Sequence, residues 1–256
     1  MYLGDWQKIT SESRIIAFLE PFCTGCRLEY RKIKLIDSLA ILRVMPYSNF
    51  VLSGLVKQFN LDVQDGVWIQ DVPAHQPSEL LKIWLEQNVA FAVAQSTEKA
   101  RSEFMIAPIL AEVRQHFAGQ ISLFSGVEFN VDEASGLGGI CDFLFSRSKQ
   151  NLYVEAPVLS VVEATPARQV HLQGQDAKNE SFKQGIAQVG AEMVAAELFN
   201  QREGQSYQQI FGVVTIGDEW KFLKLEQRVL YVDSKRYGLD ELPQILGILI
   251  WMLEQQ

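Results

Sequence analysis

Apolar residues recur at helical spacing over some stretches of the chain and alternate over others, and this pattern divides it into elements. From Ser48 to Asn88 it predicts two helices around a turn. Ser48 or Asn49 caps the first, which runs through Gln58. Pro77-Ser78-Glu79 opens the second, with Ser78 as N-cap and Leu80, Leu81, Trp84 and Leu85 recurring at helical spacing. Between them Val67-Trp68-Ile69 reads as a short extended piece. A longer helix starts at Ser96 or Thr97, and Phe104, Ile106, Ile109, Leu110 and Val113 form its inward stripe. Pro108 within it predicts a kink, or the end of a first segment near Ala107, and Gly119 predicts the stop.

Strands come next. Ile121 to Val131 alternates loosely through Leu123, Val127, Phe129 and Val131, and Gly136, Gly138 and Gly139 predict a turn. Ile140 to Phe145 is the next strand. Tyr153 to Ala164 holds Val158-Leu159-Ser160-Val161-Val162, apolar enough for burial on both faces. A long helix is predicted from Asn179 to Asn200, with Phe182, Ile186, Val189, Met193 and Leu198 on one side. Strands at Gln209–Ile216, Trp220–Leu225 and Val229–Val232 follow, the first two joined at Gly217-Asp218. A terminal helix runs from Leu239 to Leu253. The core order is α-β-β-β-α-β, an α/β fold with a mixed central sheet flanked by helices and a small helical N-terminal region.

Residues 1–44 read differently. They show no clear amphipathic period, and they hold Cys23, Cys26 and a basic cluster of Arg27, Arg31, Lys32 and Lys34. They are read as an N-terminal extension, with a helical region over 45–95 and the core over 96–256. The chain has 256 residues, 48% of them hydrophobic and 21% charged, which is ordinary globular composition. No run approaches the ~20 apolar residues that cross a bilayer, and no signal-peptide pattern opens the chain. Three cysteines make no disulfide framework, so the expected location is the cytoplasm, with no membrane association. Net charge is −8. That argues against a protein that coats phosphate backbones, and leaves room for an enzyme that touches few of them.

Two carboxylates carry the chemistry. Asp142 lies in Gly139-Ile140-Cys141-Asp142-Phe143, and Glu163 ends Leu159-Ser160-Val161-Val162-Glu163. An ionised carboxylate in an apolar strand is costly unless it is paired or binds a cation. Neighbouring strands would hold the two ~5 Å apart, a spacing that suits Mg²⁺ with water and a backbone carbonyl. The plainer alternative ends Asp142 in a turn and points Glu163 to solvent.

The ordered run of Ser102-Glu103 before Pro108-Ile109-Leu110, Phe124-Ser125-Gly126-Val127, Gly139-Ile140-Cys141-Asp142-Phe143, Val161-Val162-Glu163-Ala164 and Gln184-Gly185-Ile186-Ala187-Gln188 resembles the PD-(D/E)XK nuclease superfamily. Ala191-Glu192-Met193, Gly212-Val213-Val214-Thr215 and Trp220-Lys221-Phe222 bring it closer to an uncharacterised bacterial subgroup. The resemblance covers about residues 48–256. It implies a restriction-endonuclease-like core that hydrolyses nucleic-acid phosphodiesters, DNA first among them, with Mg²⁺ or Mn²⁺. Asp142 and Glu163 would be the metal ligands, Glu103 an auxiliary acid on the first core helix, and Gln188 a residue orienting substrate or water.

The family lysine is missing. After Glu163-Ala164 come Thr165-Pro166, and Pro166 should end the strand. Excising 165–177 would restore Glu163-Ala164-Lys178, so this stretch reads as an insertion. Either Lys178 swings back to the site, the favoured wiring, or Gln169 to Asp176 forms a new strand and Asp176-Ala177-Lys178 replaces the motif. A third outcome is an inactive relative that binds nucleic acid or a protein partner; a homodimer is also open. Lys183 is the weaker substitute.

Other signals are read as structural. Cys23 and Cys26 lack the further ligands of a zinc site; His75, His116 and His171 repeat no metal spacing. Cys141 is a small core residue. Gly136-Leu137-Gly138-Gly139 precedes a strand, so it makes a hairpin turn and no phosphate loop. Trp220, Lys221, Lys224, Arg228, Lys235 and Arg236 offer either a positive strip or, the preferred reading, a half-solvated ribbon.

Overall fold

The computed structural model describes residues 46–149, 151–165, 175–205 and 207–255, the backbone alone for 175–177. The proposed extension over 1–44, with Cys23 and Cys26, lies outside the described residues, as do Gln169–Gly174. The helices are α1 Leu52–Phe59, α2 Glu79–Gln95, α3 Glu98–Arg101, α4 Ala107–His116, α5 Gln175–Arg202 and α6 Leu242–Glu254. The strands are β1 Asp62–Gly66, β2 Ser122–Glu128, β3 Ile140–Ser146, β4 Val158–Ala164, β5 Gln209–Thr215, β6 Glu219–Glu226, β7 Val229–Asp233 and β8 Tyr237–Gly238.

Among the described residues the eight strands form one mixed sheet in the order β1-β7-β6-β5-β4-β3-β2, with β8 beside β6. β2, β3 and β4 are an antiparallel meander, and α5 carries the chain from β4 to β5, which run parallel. Helices cover both faces. α5 packs on one with Leu144, Val161, Val214 and Leu223; α4 and α6 pack on the other with Phe143, Val162, Val213 and Phe222. Those residues alternate along their strands, so the period of two decides which core each enters. α5 lies close to the sheet because residue 185 is glycine: a Cβ there would stand 2.5 Å from Val214 Cγ1 and 2.6 Å from Thr165 Cγ2.

The helix around Pro108 does not break. A π turn at Ser102–Ile106 joins α3 to α4, with Ala107 N bonded to Ser102 O. Pro108 has no N–H to offer Phe104 O, the acceptor one turn back. The Trp84 indole donates to that oxygen instead, at 3.0 Å. Ser78 caps α2 as expected, its hydroxyl accepting from Leu81 N, and Thr97 caps α3.

The N-terminal region also holds a strand. β1 pairs parallel with β7, and it precedes Val67-Trp68-Ile69, the piece that the sequence pattern predicts to be extended. Its sequence Asp-Val-Gln-Asp-Gly is mostly exposed at the sheet edge, so no apolar alternation marks it. α5 begins at Gln175, earlier than predicted, and Gln175 and Asp176 are helical, so a replacement strand does not extend through them. Among the described residues no helix is long and apolar enough to cross a membrane.

Candidate active site

Strand pairing brings the two predicted carboxylates together. Phe143 opposes Val162 and Leu144 opposes Val161. One step further, the same register sets Asp142 opposite Glu163. Two residues before Leu144 and two after Val161, both face α5. Ala164 N donates to Asp142 Oδ2 at 2.8 Å, and the Asp142 and Glu163 carboxyls lie close enough to act on each other's protonation.

α5 adds a third acid. Glu192 is fully buried, and its Oε1 accepts from Gln188 Nε2, one turn earlier, at 3.4 Å. α3 adds a fourth: Glu98 stands at the exposed rim, where the Asp142 charge acts on it and its own charge acts on Glu163. Gln188, expected beside the site, is half-buried there.

Electrostatics in this cluster are all of one sign. Burial pushes the Glu163 carboxyl well up, and the charges of Glu192, Asp142 and Glu98 push it further. Burial, then the Asp142 charge, pushes Glu192 well up, against the Gln188 amide. Asp142 is raised by burial and held back by Ala164 N–H and by Glu163. Glu98 is raised by partial burial and by Asp142. Among the described residues, no lysine or arginine is one of the groups that shift these four acids. Glu163 Oε2 and Glu192 Oε2 are buried and find no hydrogen-bond partner among the described residues.

Hard oxygen donors with buried, unpartnered lone pairs have the chemistry to hold a divalent cation of the Mg²⁺ class. Among the described residues, no three His, Cys, Asp or Glu side chains are grouped closely enough to form a ready-made metal site. Asp142 and Glu163 with water are the smaller ligand set that Mg²⁺ accepts.

The other expected residues lie elsewhere. Glu103 points away and pairs with Lys99 at 2.7 Å on the exposed side of the helix. Its expected place is held by Glu98, five residues earlier. Lys178 does not meet the carboxylates: its amine bonds Asp218 Oδ2 at 3.2 Å and also Glu219 Oε1, at the β5–β6 turn. Asp218 accepts from Arg101 as well, at 2.7 Å, and Glu219 faces Arg236 at 3.5 Å. Thr165, where the resemblance expects a lysine, is buried with a hydroxyl that has no partner among the described residues. Lys183 is exposed beside Glu180.

Four of the five ribbon cations are ion-paired. Lys224 pairs with Glu226, Arg228 with Glu197, Lys235 with Glu241 and Arg236 with Glu219. Trp220 is buried, its indole donating to Gly217 O. Burial lowers the Lys221 amine, against Asp65 and Asp233. This surface is an ion-paired ribbon. Cys141 is a buried core thiol, pushed well up by burial and then by Glu192.

Sequence reasoning misses Glu98 and Glu192. Glu192 has one legible signal: it lies among Val189, Ala191, Met193, Val194 and Ala195, on a helix stretch apolar all round. A carboxylate there has no solvated face to occupy. Compared with models of known families and with curated proteins, the sequence matches none.

Proposed function

We propose that this protein is a divalent-metal-dependent phosphodiesterase acting on nucleic acid, with DNA as the first polymer to test. One observation carries the reading. Two strand-borne carboxylates and a buried helix-borne third act on one another's protonation, with no cationic side chain among the described groups that shift them, and two of their oxygens lack partners among the described residues. Such a cluster is stable only protonated or around a cation. The likeness of the ordered motifs to PD-(D/E)XK nucleases supplies the reaction class.

Asp142 and Glu163 would hold Mg²⁺ or Mn²⁺, with Glu192 beside them. A bound divalent ion supplies charge to phosphoryl oxygens and acidifies its water. Glu98, at the rim, is placed to hold or orient a water entering from solvent. Gln188 fixes Glu192 through its amide. The Ala164 N–H fixes Asp142, so the pair is oriented by backbone.

A second reading, an inactive nuclease-fold module, is favoured by Thr165 in place of lysine and by the pairing of Lys178 with Asp218 and Glu219. One experiment separates them. Mg²⁺ and Mn²⁺ binding is measured by calorimetry, beside cleavage of single- and double-stranded DNA and RNA, for wild type, Asp142→Asn and Glu163→Gln. The nuclease reading expects metal-dependent cleavage that falls about 10³-fold in either variant. Metal binding without cleavage of any polymer selects the module. Neither heat nor cleavage in the wild type removes the metal-site reading.

A further inference from the structure

The surface of α2 is unusual for a solvated helix. Leu80 is 76% exposed, Ile83 51%, Trp84 40% and Phe91 47%. With Gln87 they fall at i, i+3, i+4, i+7 and i+11, one continuous stripe. The inward face, Leu81, Leu85 and Ala92, is buried separately. The helix is therefore apolar on both sides. Its charged residues, Glu79, Lys82 and Glu86, all lie in its first half, and no charge occurs from Gln87 through Thr97.

We propose that this stripe is the contact between two copies of the chain, packed α2 against α2, antiparallel about a twofold axis at Gln87. The stripe complements itself in size. About that axis Leu80 meets Ala94, Trp84 meets Ala90 and Ile83 meets Phe91, so large side chains face small ones at two of the three pairs. Ala90 and Ala94 are exposed. Charges agree as well: Glu79 falls opposite Gln95 and Glu86 opposite Asn88, so no like charges meet. The central Gln87 amides face each other, and a polar pair in an apolar seam fixes register.

The area fits. These apolar groups expose roughly 400 Å² per copy, as much as the largest patch on many monomers. Two copies together bring about 800 Å², the apolar share of an interface of about 1,200 Å² that is roughly 65% apolar. The dimer would also brace the helix that carries Glu98. The Trp84 ring stacks on Phe104 of the π turn at 6.5 Å and Phe91 meets the same ring edge-on at 5.2 Å. This inference is independent of the proposed chemistry.

Sedimentation of the full chain tests it, with Leu80→Lys and Ala94→Glu, two exposed positions, each variant checked by circular dichroism for wild-type folding. The wild type is expected as a dimer. Each variant alone should raise the dissociation constant by about 100-fold or more, because each homodimer buries the new charge twice. An equal mixture should recover the dimer. In the mixed dimer the new cation of the Leu80→Lys copy faces the new anion of the Ala94→Glu copy once, and a native pair forms at the other end. A monomeric wild type overturns the proposal, as does a dimer indifferent to both substitutions. Two monomeric variants that fail to recover on mixing overturn the antiparallel arrangement.

Discussion

The Lys178 ammonium is held by Asp218 and Glu219, and Asp218 is shared with Arg101. Its site is about a third exposed, so these pairs contribute only about 0.5–1 kcal/mol. Replacing it removes an anchor of the β5–β6 turn and no charge among the four acids. Lys178→Ala should therefore change the rate of metal-dependent cleavage by less than about tenfold, against the ~10³-fold loss from Asp142→Asn. Single-turnover rates on one DNA substrate make the comparison. A loss as deep as that of Asp142→Asn would show that the amine leaves its partners during the reaction. The contrast shows which residues a sequence can assign. Asp142 and Glu163 are legible because a carboxylate inside an apolar strand is costly to bury without a partner or a cation. Glu103 stands nearer the apolar stripe than Glu98 does, yet the π turn resets the helix phase between Glu98 and that stripe. A local change in winding leaves no mark in the spacing of apolar residues. Lys178 is adjacent to neither carboxylate in the sequence, and spacing alone does not carry the reach of a side chain.

Elements with a strong period are legible in kind, and those at the edges are not. β3, β4 and β5 are buried along most of their length, so their apolar runs announce them. β1 is a polar edge strand, fixed by pairing with β7 rather than by burial. Residues 67–78 then cross onto α6, where His75 N bonds Pro243 O and Gln244 Nε2 bonds Val72 O. Gly247 of α6 is what admits this strap. A Cβ there would collide with the Pro73 carbonyl oxygen and stand 3.1 Å from Ala74 Cα, both backbone atoms with no rotamer to escape into. Gly247→Ala should thus destabilise the protein by about 1–3 kcal/mol, although alanine is the better helix former by ~1 kcal/mol. Denaturant melts decide it, and an alanine variant as stable as the wild type would show that the strap yields freely.

At the scale of the whole molecule, the carboxylate cluster sets how stability depends on pH. Glu163 and Glu192 have carboxyl groups raised well above their ordinary range by burial and by mutual repulsion. Between the unfolded and folded values of such a group, the native state holds protons that the unfolded chain has released. Stability is then full below the ordinary carboxylate range and declines as pH rises toward the folded value. The net charge of −8 works in the same direction, since self-repulsion of an acidic chain grows as its remaining carboxyls ionise. Glu192→Gln keeps the shape and the Gln188 contact and removes one of the titrating groups. In chelator, without divalent ions, its melting temperature should match the wild type near pH 4 and exceed it increasingly toward pH 8, by about 2–4 °C for each kcal/mol of relieved burial and repulsion. A difference that stays constant over this range would mean that Glu192 does not change its protonation between the folded and unfolded chain.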